Sequence, residues 1–318
     1  MPRLVVYDTM RRLTTTFTIA FARGVIRHNN ETNGSWEVKH MPIQTYLENG
    51  LPLDLNPARG DAVATLGILR GTGLMLKEAK RKGLDYYYMD HAYFNPGYKG
   101  KGWMRITKNG HACNTLRTVE KDKWKGFHTN AGYNIDPWRT NKERGGLILV
   151  LPPTNAVSWF FELGPTGWED MVVSRLKSIL PESEHHRIVV RHKPKEPFVD
   201  ERGFLLELAT TPEIAGMPSL DEQLEEACCV IAYNSMVALQ ATLKGIPVIT
   251  SEHSCCHRVS FSLDDFMENS KPTAFNTEPL NRNHLVWWLA YNQWKMRDIE
   301  NGKCWADLQK NYEGINEF

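Results

Sequence analysis

Four short stretches carry side chains able to do chemistry. Arg191-His192-Lys193-Pro194 sets two permanent cations beside an imidazole, a combination suited to charge-assisted hydrogen bonds with a phosphate. Arg191 and His192 alternate along an extended chain, so one of them faces a ligand, and His192 with Lys193 is the expected pair. Downstream, Asn234-Ser235 is a polar break between the apolar run Cys228–Tyr233 and the helix formers Met236–Lys244. Both residue types cap helices, and a helix start offers free N–H groups and a positive dipole end to an anion. A purely structural cap is the other reading.

The third stretch is Asp90-His91, followed by Ala92-Tyr93-Phe94. Asp90 comes at the end of an aromatic run, Asp85–Met89, where a general base would be placed if that run is a parallel strand. A cap or turn is the alternative. The fourth is the Gly-, Lys- and aromatic-rich segment between residues 95 and 127, with Lys99, Lys101, Trp103 and Arg105 interleaved with Tyr98, Trp124 and Phe127. Cations alternating with rings suit phosphates and bases; a solvated loop anchored by its aromatics explains the same pattern.

The elements that position these residues follow from apolar runs and breaks. Leu4–Tyr7, Trp36–His40, Ala62–Leu69 and Asp85–Met89 are strand-like, with helices expected over 15–28 and 74–81, the latter closed by Gly83. Segment 49–59 is a loop rich in Pro, Asn and Leu. Further on, Gly146–Leu151 and Arg187–Arg191 are strands, Trp168–Leu180 and Leu220–Ala227 helices. Cys228–Tyr233, Met236–Lys244 and Ile246–Ile249 make a strand–helix–strand unit with Gly245 at the helix end. Strands alternating with helices predict an α/β fold of parallel sheets. The polar stretch 139–145 sets the expected boundary: an N-terminal domain over 1–144, a second over 145–282, and packing helices over 283–318. The tail's Trp287, Trp288, Trp294 and Trp305 read as packing anchors.

At 318 residues the chain suffices for two cores, and 42% hydrophobic with 24% charged residues is a globular composition. No run of 18 apolar residues occurs and the N-terminus lacks a signal-peptide pattern, so no transmembrane segment is expected. Six cysteines without a C-x-x-C fit reduced thiols in a cytoplasm. His253, Cys255, Cys256 and His257 lack a second ligand pair at zinc spacing, so no metal site is expected. The net charge of +1 hides an imbalance. Residues 1–150 hold 23 Lys and Arg against 13 Asp and Glu, and the remainder 15 against 24. A basic half points to a polyanion, or to neutralisation across an interface.

The residues RHKP, followed by NSMVALQATLKGIPVI, resemble the C-terminal domain of GT-B glycosyltransferases, nearest to the capsular-polysaccharide and Kdo-transferase-like branch. The likeness covers about 130 residues. It departs in His-Lys-Pro where His-Pro is usual and in Asn-Ser where Ser-Ser is common. The resemblance implies two Rossmann-like domains facing across a cleft, with an N-terminal acceptor domain and a C-terminal nucleotide-sugar domain. It implies a nucleotide-sugar co-substrate, a UDP-sugar being the expected one, and no cofactor or metal; the chain also contains no D-x-D.

On this likeness Arg191, His192, Lys193, Asn234 and Ser235 would hold the donor's phosphates. Glu252 would hold sugar hydroxyls, and residues 218–222 would flank the nucleoside. Asp90 with His91 would serve the acceptor hydroxyl. The basic first half favours a 5-hydroxymethylpyrimidine in phage DNA as acceptor, with Lys99, Lys101, Trp103 and Arg105 in contact. A cell-surface saccharide is the rival acceptor. A non-catalytic nucleotide-sugar or nucleic-acid binding protein is the reading from another class.

Overall fold

The computed structural model describes residues 1–95, 102–113, 115–139, 146–164, 167–211, 216–269 and 277–310. The chain forms two compact units. The first comprises residues 1–113 and 199–205 with the tail from Leu289; the second comprises the segments between.

The first unit opens with Arg3–Asp8 (β1), helix Arg12–Thr32 (α1), Glu37–Pro42 (β2) and helix Ile43–Asn49 (α2). Ala62–Leu66 (β3), helix Thr72–Arg81 (α3), Asp85–His91 (β4) and Trp103–Lys108 (β5) follow. The two central strands are buried almost throughout, as parallel strands covered on both faces must be. Phe17, Phe21 and Val25, one helical turn apart on α1, press on Leu4, Val6, Ala62 and Ala64. The four parallel strands lie in the order β2-β1-β3-β4, and β5 joins β4 antiparallel. The chain leaves β1 for β2 and then crosses back to β3. The strand order therefore reverses between β1 and β3, the point at which open α/β sheets hold ligands beyond their carboxyl ends.

The second unit holds helix Asp122–Ala131 (α4), Leu147–Leu151 (β6), helices Asn155–Phe161 (α5) and Trp168–Ile179 (α6), and Ile188–Val190 (β7). A hairpin, Lys195–Val199 (β8) and Leu205–Thr210 (β9), precedes helix Leu220–Glu226 (α7). That helix begins in a capping box: the Ser219 hydroxyl accepts from the Glu222 N–H, and the Glu222 carboxylate accepts from the Ser219 N–H. Next come Ala227–Ala232 (β10), helix Val237–Leu243 (α8), Val248–Thr250 (β11), Phe261–Ser262 (β12), and helices Leu263–Glu268 (α9) and Arg282–Tyr291 (α10). The second sheet, β12-β11-β10-β6-β7, is parallel throughout. Its core joins Ile148, Val150, Ile231 and Ile249 to Val172, Leu176 and Phe266.

The tail supplies Gln293–Lys295 (β13) and helices Met296–Glu300 (α11) and Lys303–Leu308 (α12). Strand β13 pairs antiparallel with β5 and completes a six-stranded first sheet. Trp294 and Trp305 are buried in the first core, in line with their reading as anchors. Trp287 lies in α10, its ring 4.8 Å from that of His284.

The division differs from the expected boundary at 144, because contacts break after Cys113. The segment before 139 is fastened to the turn between α8 and β11. The Asp136 N–H donates to the Leu243 carbonyl at 2.8 Å, and the Arg139 N–H to Gly245 at 3.0 Å. The Arg139 guanidinium donates to the carbonyls of Leu224 and Glu225.

Gly245 closes α8 as expected, at φ +71. A Cβ there would lie 2.1 Å from the Pro137 carbonyl oxygen. The left-handed backbone and this contact both exclude a side chain. Gly245→Ala should destabilise the second unit by more than about 2 kcal/mol, read as a lowered urea midpoint at unchanged slope.

Candidate active site

The carboxyl edge of the second sheet gathers the loops expected to bind a donor. Arg191-His192-Lys193 follows β7 and Asn234-Ser235 follows β10, with β6 between the two strands. Neighbouring strands stand roughly 4.8 Å apart, so these loops are separated by about twice that. Arg191 is turned to the protein: its guanidinium donates to the Pro218 carbonyl at 2.8 Å and to the buried Gln223 side chain at 2.7 Å. It positions the loop that leads into α7.

His192 instead meets Glu169, Nε2 to Oε2 at 3.1 Å, at the start of α6. Lys193 is exposed, and its backbone carbonyl accepts from the Thr211 hydroxyl at 2.6 Å. Among the described residues its ammonium makes no ion pair, which leaves it the most available cation of the three.

The structure corrects the helix-cap reading of Asn234-Ser235, because the turn runs one residue further before the helix begins. The N-cap is Met236, and the Ser235 hydroxyl accepts from the Val237 N–H at 3.3 Å. The Asn234 amide Nδ2 is buried and has no acceptor among the described residues. Glu252 stands past β11, 72% exposed and 3.6 Å from His253 Nε2. His253 stacks on Phe161, with ring centroids 4.4 Å apart and planes at 24°, and Tyr233 packs against both rings. Burial, with the Glu252 and Asp264 charges, pushes the Tyr233 hydroxyl up to about 12, so it remains a neutral donor. Residues 218–222 are committed to the Arg191 contact and to the capping box.

In the first unit, Asp90 lies near the carboxyl end of β4, as expected. Its carboxylate is already satisfied. Oδ2 accepts from the Tyr88 hydroxyl at 2.7 Å and from the Arg105 guanidinium at 3.1 Å, and Oδ1 from the His91 N–H at 2.7 Å. Burial pushes the carboxyl up, but Arg105, His111, the Tyr88 hydroxyl and the His91 N–H outweigh it. They hold Asp90 below the usual carboxylate range. A carboxylate so neutralised is a poor base. The His91 side chain is exposed at the strand end.

Arg105 corrects an expectation. It is 4% exposed and directly opposite Asp90 in the β4–β5 register, so it contacts no polyanion on the surface. Its guanidinium also lies 5.5 Å from the Tyr93 ring. Trp103, two residues away, is half-buried with the Lys295 ammonium 5.1 Å from its ring centroid. Trp124 and Phe127 are buried on α4 and offer no stacking platform for bases. Lys99, Lys101 and Tyr98 lie outside the described residues.

A second carboxylate cluster was not read from the sequence. Asp8, the last residue of β1, is 3% exposed and accepts from the Met10 N–H at 2.6 Å and the Thr15 hydroxyl at 3.2 Å. Its Oδ2 lies 3.2 Å from His40 Nε2, which also lies 3.2 Å from the Thr18 hydroxyl oxygen. Thr18 directs its own proton to α1 carbonyls. Both partners of Nε2 are therefore acceptors, so in the neutral ring Nε2 carries the proton and Nδ1 the lone pair. The His40 side chain is 27% exposed. A buried carboxylate orienting a solvent-reached imidazole is the arrangement of a general base. An acidic residue closing the run Leu4–Tyr7 was a readable signal; His40 needed the β1–β2 pairing.

The six cysteines are buried free thiols. Among the described residues no group of three His, Cys, Asp or Glu gathers to hold a metal ion, and no helix is long and apolar enough to cross a membrane.

No protein-family model matches the chain, and no curated protein matches it. Among solved structures it is similar to Thermosulfurimonas dismutans KpsC, beta Kdo 2,7 transferase, at 12% identity over 96% of this chain and 99% of that one, with a TM-score of 0.45. It is also similar to the beta Kdo 2,4 transferase of the same KpsC, at 13% identity over 92% and 91%, TM-score 0.45. E. coli heptosyltransferase WaaC with ADP shares 12% identity over 78% of this chain and 86% of that one, TM-score 0.23.

Proposed function

We propose that the chain transfers a glycosyl group from a nucleotide-sugar to the hydroxyl of a saccharide. The observation that carries this reading is the common carboxyl edge of the second sheet. It presents Lys193, His192 and the Asn234-Ser235 turn together, in the residues that resemble the donor domain of GT-B enzymes. In this reading Lys193 and His192 meet the departing diphosphate, and the buried Asn234 amide donates to it. Fixed donors of this kind stabilise leaving-group charge without reorganising. Arg191 positions the loop through Gln223 and the Pro218 carbonyl.

The base is assigned to His40, oriented by Asp8, in place of Asp90. In the transfer the acceptor oxygen attacks the anomeric carbon, gives its proton to the base, and the bond to the diphosphate breaks; within the first unit the Asp8–His40 pair has the arrangement such a base requires. The saccharide acceptor is favoured over DNA because Arg105, Trp124 and Phe127, three of the contacts that argued for DNA, are buried.

The test offers UDP-, GDP-, ADP- and CMP-sugars with mixed saccharide acceptors or with hydroxymethylated DNA, and reads released nucleotide and product mass. Nucleotide release with a saccharide heavier by one sugar is expected. A DNA nucleoside heavier by one sugar would move the acceptor to DNA. No released nucleotide from any donor would overturn glycosyl transfer.

A further inference from the structure

Two arginines stand at the crevice where the strand order of the first sheet reverses. Arg11 follows the carboxyl end of β1 by three residues, and Arg70 follows that of β3 by four. The two strands are paired neighbours, with Val6 opposite Ala64, so their loops leave the sheet side by side. Among the described residues neither guanidinium has a carboxylate within ion-pairing distance. The nearest acid in sequence, Asp8, is taken up by His40, the Met10 N–H and the Thr15 hydroxyl. Arg70 is half-buried, and burial together with the neighbouring Arg11 charge lowers it from the ordinary guanidinium range. Two like charges are thus held near one another without a counter-charge, which is unfavourable unless an anion completes them.

The backbone adds to this. Arg70 has φ +64 between Gly67 at +74 and Gly71 at +90. A non-glycine residue in the left-handed region is strained, and such strain gathers at ligand sites.

We propose that Arg11 and Arg70 form a phosphomonoester-binding site within the first unit, at the carboxyl ends of β1 and β3. Each guanidinium offers a planar fork of donors. A dianionic phosphate answers both charges at once, whereas a carboxylate answers one. The site is built from residues of the first unit alone and stands whether or not the second unit binds a nucleotide-sugar.

The test is arginine modification by phenylglyoxal, followed residue by residue in the intact chain by peptide mass analysis, with no sugar donor present. Inorganic phosphate at about 10 mM, well above a Kd near 1 mM, should slow modification of both Arg11 and Arg70 at least fivefold, and acetate should not. By calorimetry the Arg11→Gln/Arg70→Gln double variant should bind glucose 6-phosphate at least tenfold more weakly than the unaltered chain. Tighter binding of glucose 6-phosphate than of phosphate identifies a sugar phosphate; equal binding identifies phosphate alone, and either supports the site. Unprotected Arg11 and Arg70, equal protection by acetate, or unchanged binding by the double variant would overturn it.

Discussion

His40→Ala should cut glycosyl transfer by roughly a hundredfold to ten-thousandfold, the range supplied by a positioned general base. The loss should fall on kcat, with the KM for the nucleotide-sugar nearly unchanged, because His40 belongs to the first unit and the donor is assigned to the second. Asp8→Asn should produce a comparable fall for a different reason. An asparagine presents either an amide donor or a weaker acceptor to Nε2, and the tautomer with a free Nδ1 is no longer favoured. Added imidazole should restore part of the activity of His40→Ala and none of that of Asp8→Asn. Stability must be followed alongside, since Asp8 is buried and also accepts from Met10 and Thr15. If His40→Ala folds normally and retains full activity, the imidazole is not the base. If Asp90→Asn alone abolishes transfer at unchanged stability, the role returns to Asp90.

The second large effect is on stability. Arg105→Met should destabilise the chain by about 3 kcal/mol, because it leaves the Asp90 charge facing a low-dielectric neighbour without its cation. Adding Asp90→Asn to that variant should recover much of the loss, since removing both charges is far less harmful than removing one. Urea unfolding of both single variants and the double variant measures the coupling, and additive losses would mean that the pair contributes little.

Acid should act in the same direction. The folded Asp90 carboxyl lies below its ordinary value, so its contribution is fully present above about pH 4. It is lost as pH falls through the depressed folded value, where the protonated form prevails in both states. The Arg105→Met variant should show a smaller loss of stability over that acid window than the unaltered chain.

Much of the scaffold was legible in the sequence because parallel strands are covered on both faces. Leu4–Tyr7 and Cys228–Ala232 read as unbroken apolar runs for that reason, and Ala62–Leu66 as one interrupted only by Thr65. Gly83 and Gly245 marked helix ends through their positive φ. What the sequence concealed depended on pairing between distant residues. Arg105 looked like one more surface cation until the antiparallel register put it opposite Asp90. Trp124 and Phe127, three apart, carried the spacing of a buried helical stripe, but the lysines around them invited a nucleic-acid reading. Glu169, the partner of His192, stands on a helix between the two strands that frame it. Strand β13 is three residues long between helices, too short for any alternation to declare it.

That short strand has a bearing on how the chain is made. Gln293 clamps the backbone of Phe94 from both sides, accepting from its N–H at 2.9 Å and donating to its carbonyl at 3.1 Å. Trp305 lies within 5.8 Å of the rings of Phe21, Trp36 and Tyr87. During synthesis the first sheet therefore waits, with an open edge at β5 and an aromatic vacancy beside α1, until almost 200 further residues have left the ribosome. The second unit, whose sheet strands all lie between residues 147 and 262, can close before the first. The nascent first unit is thus the part that stays open longest, and it is the part expected to aggregate if translation stalls between α10 and α12.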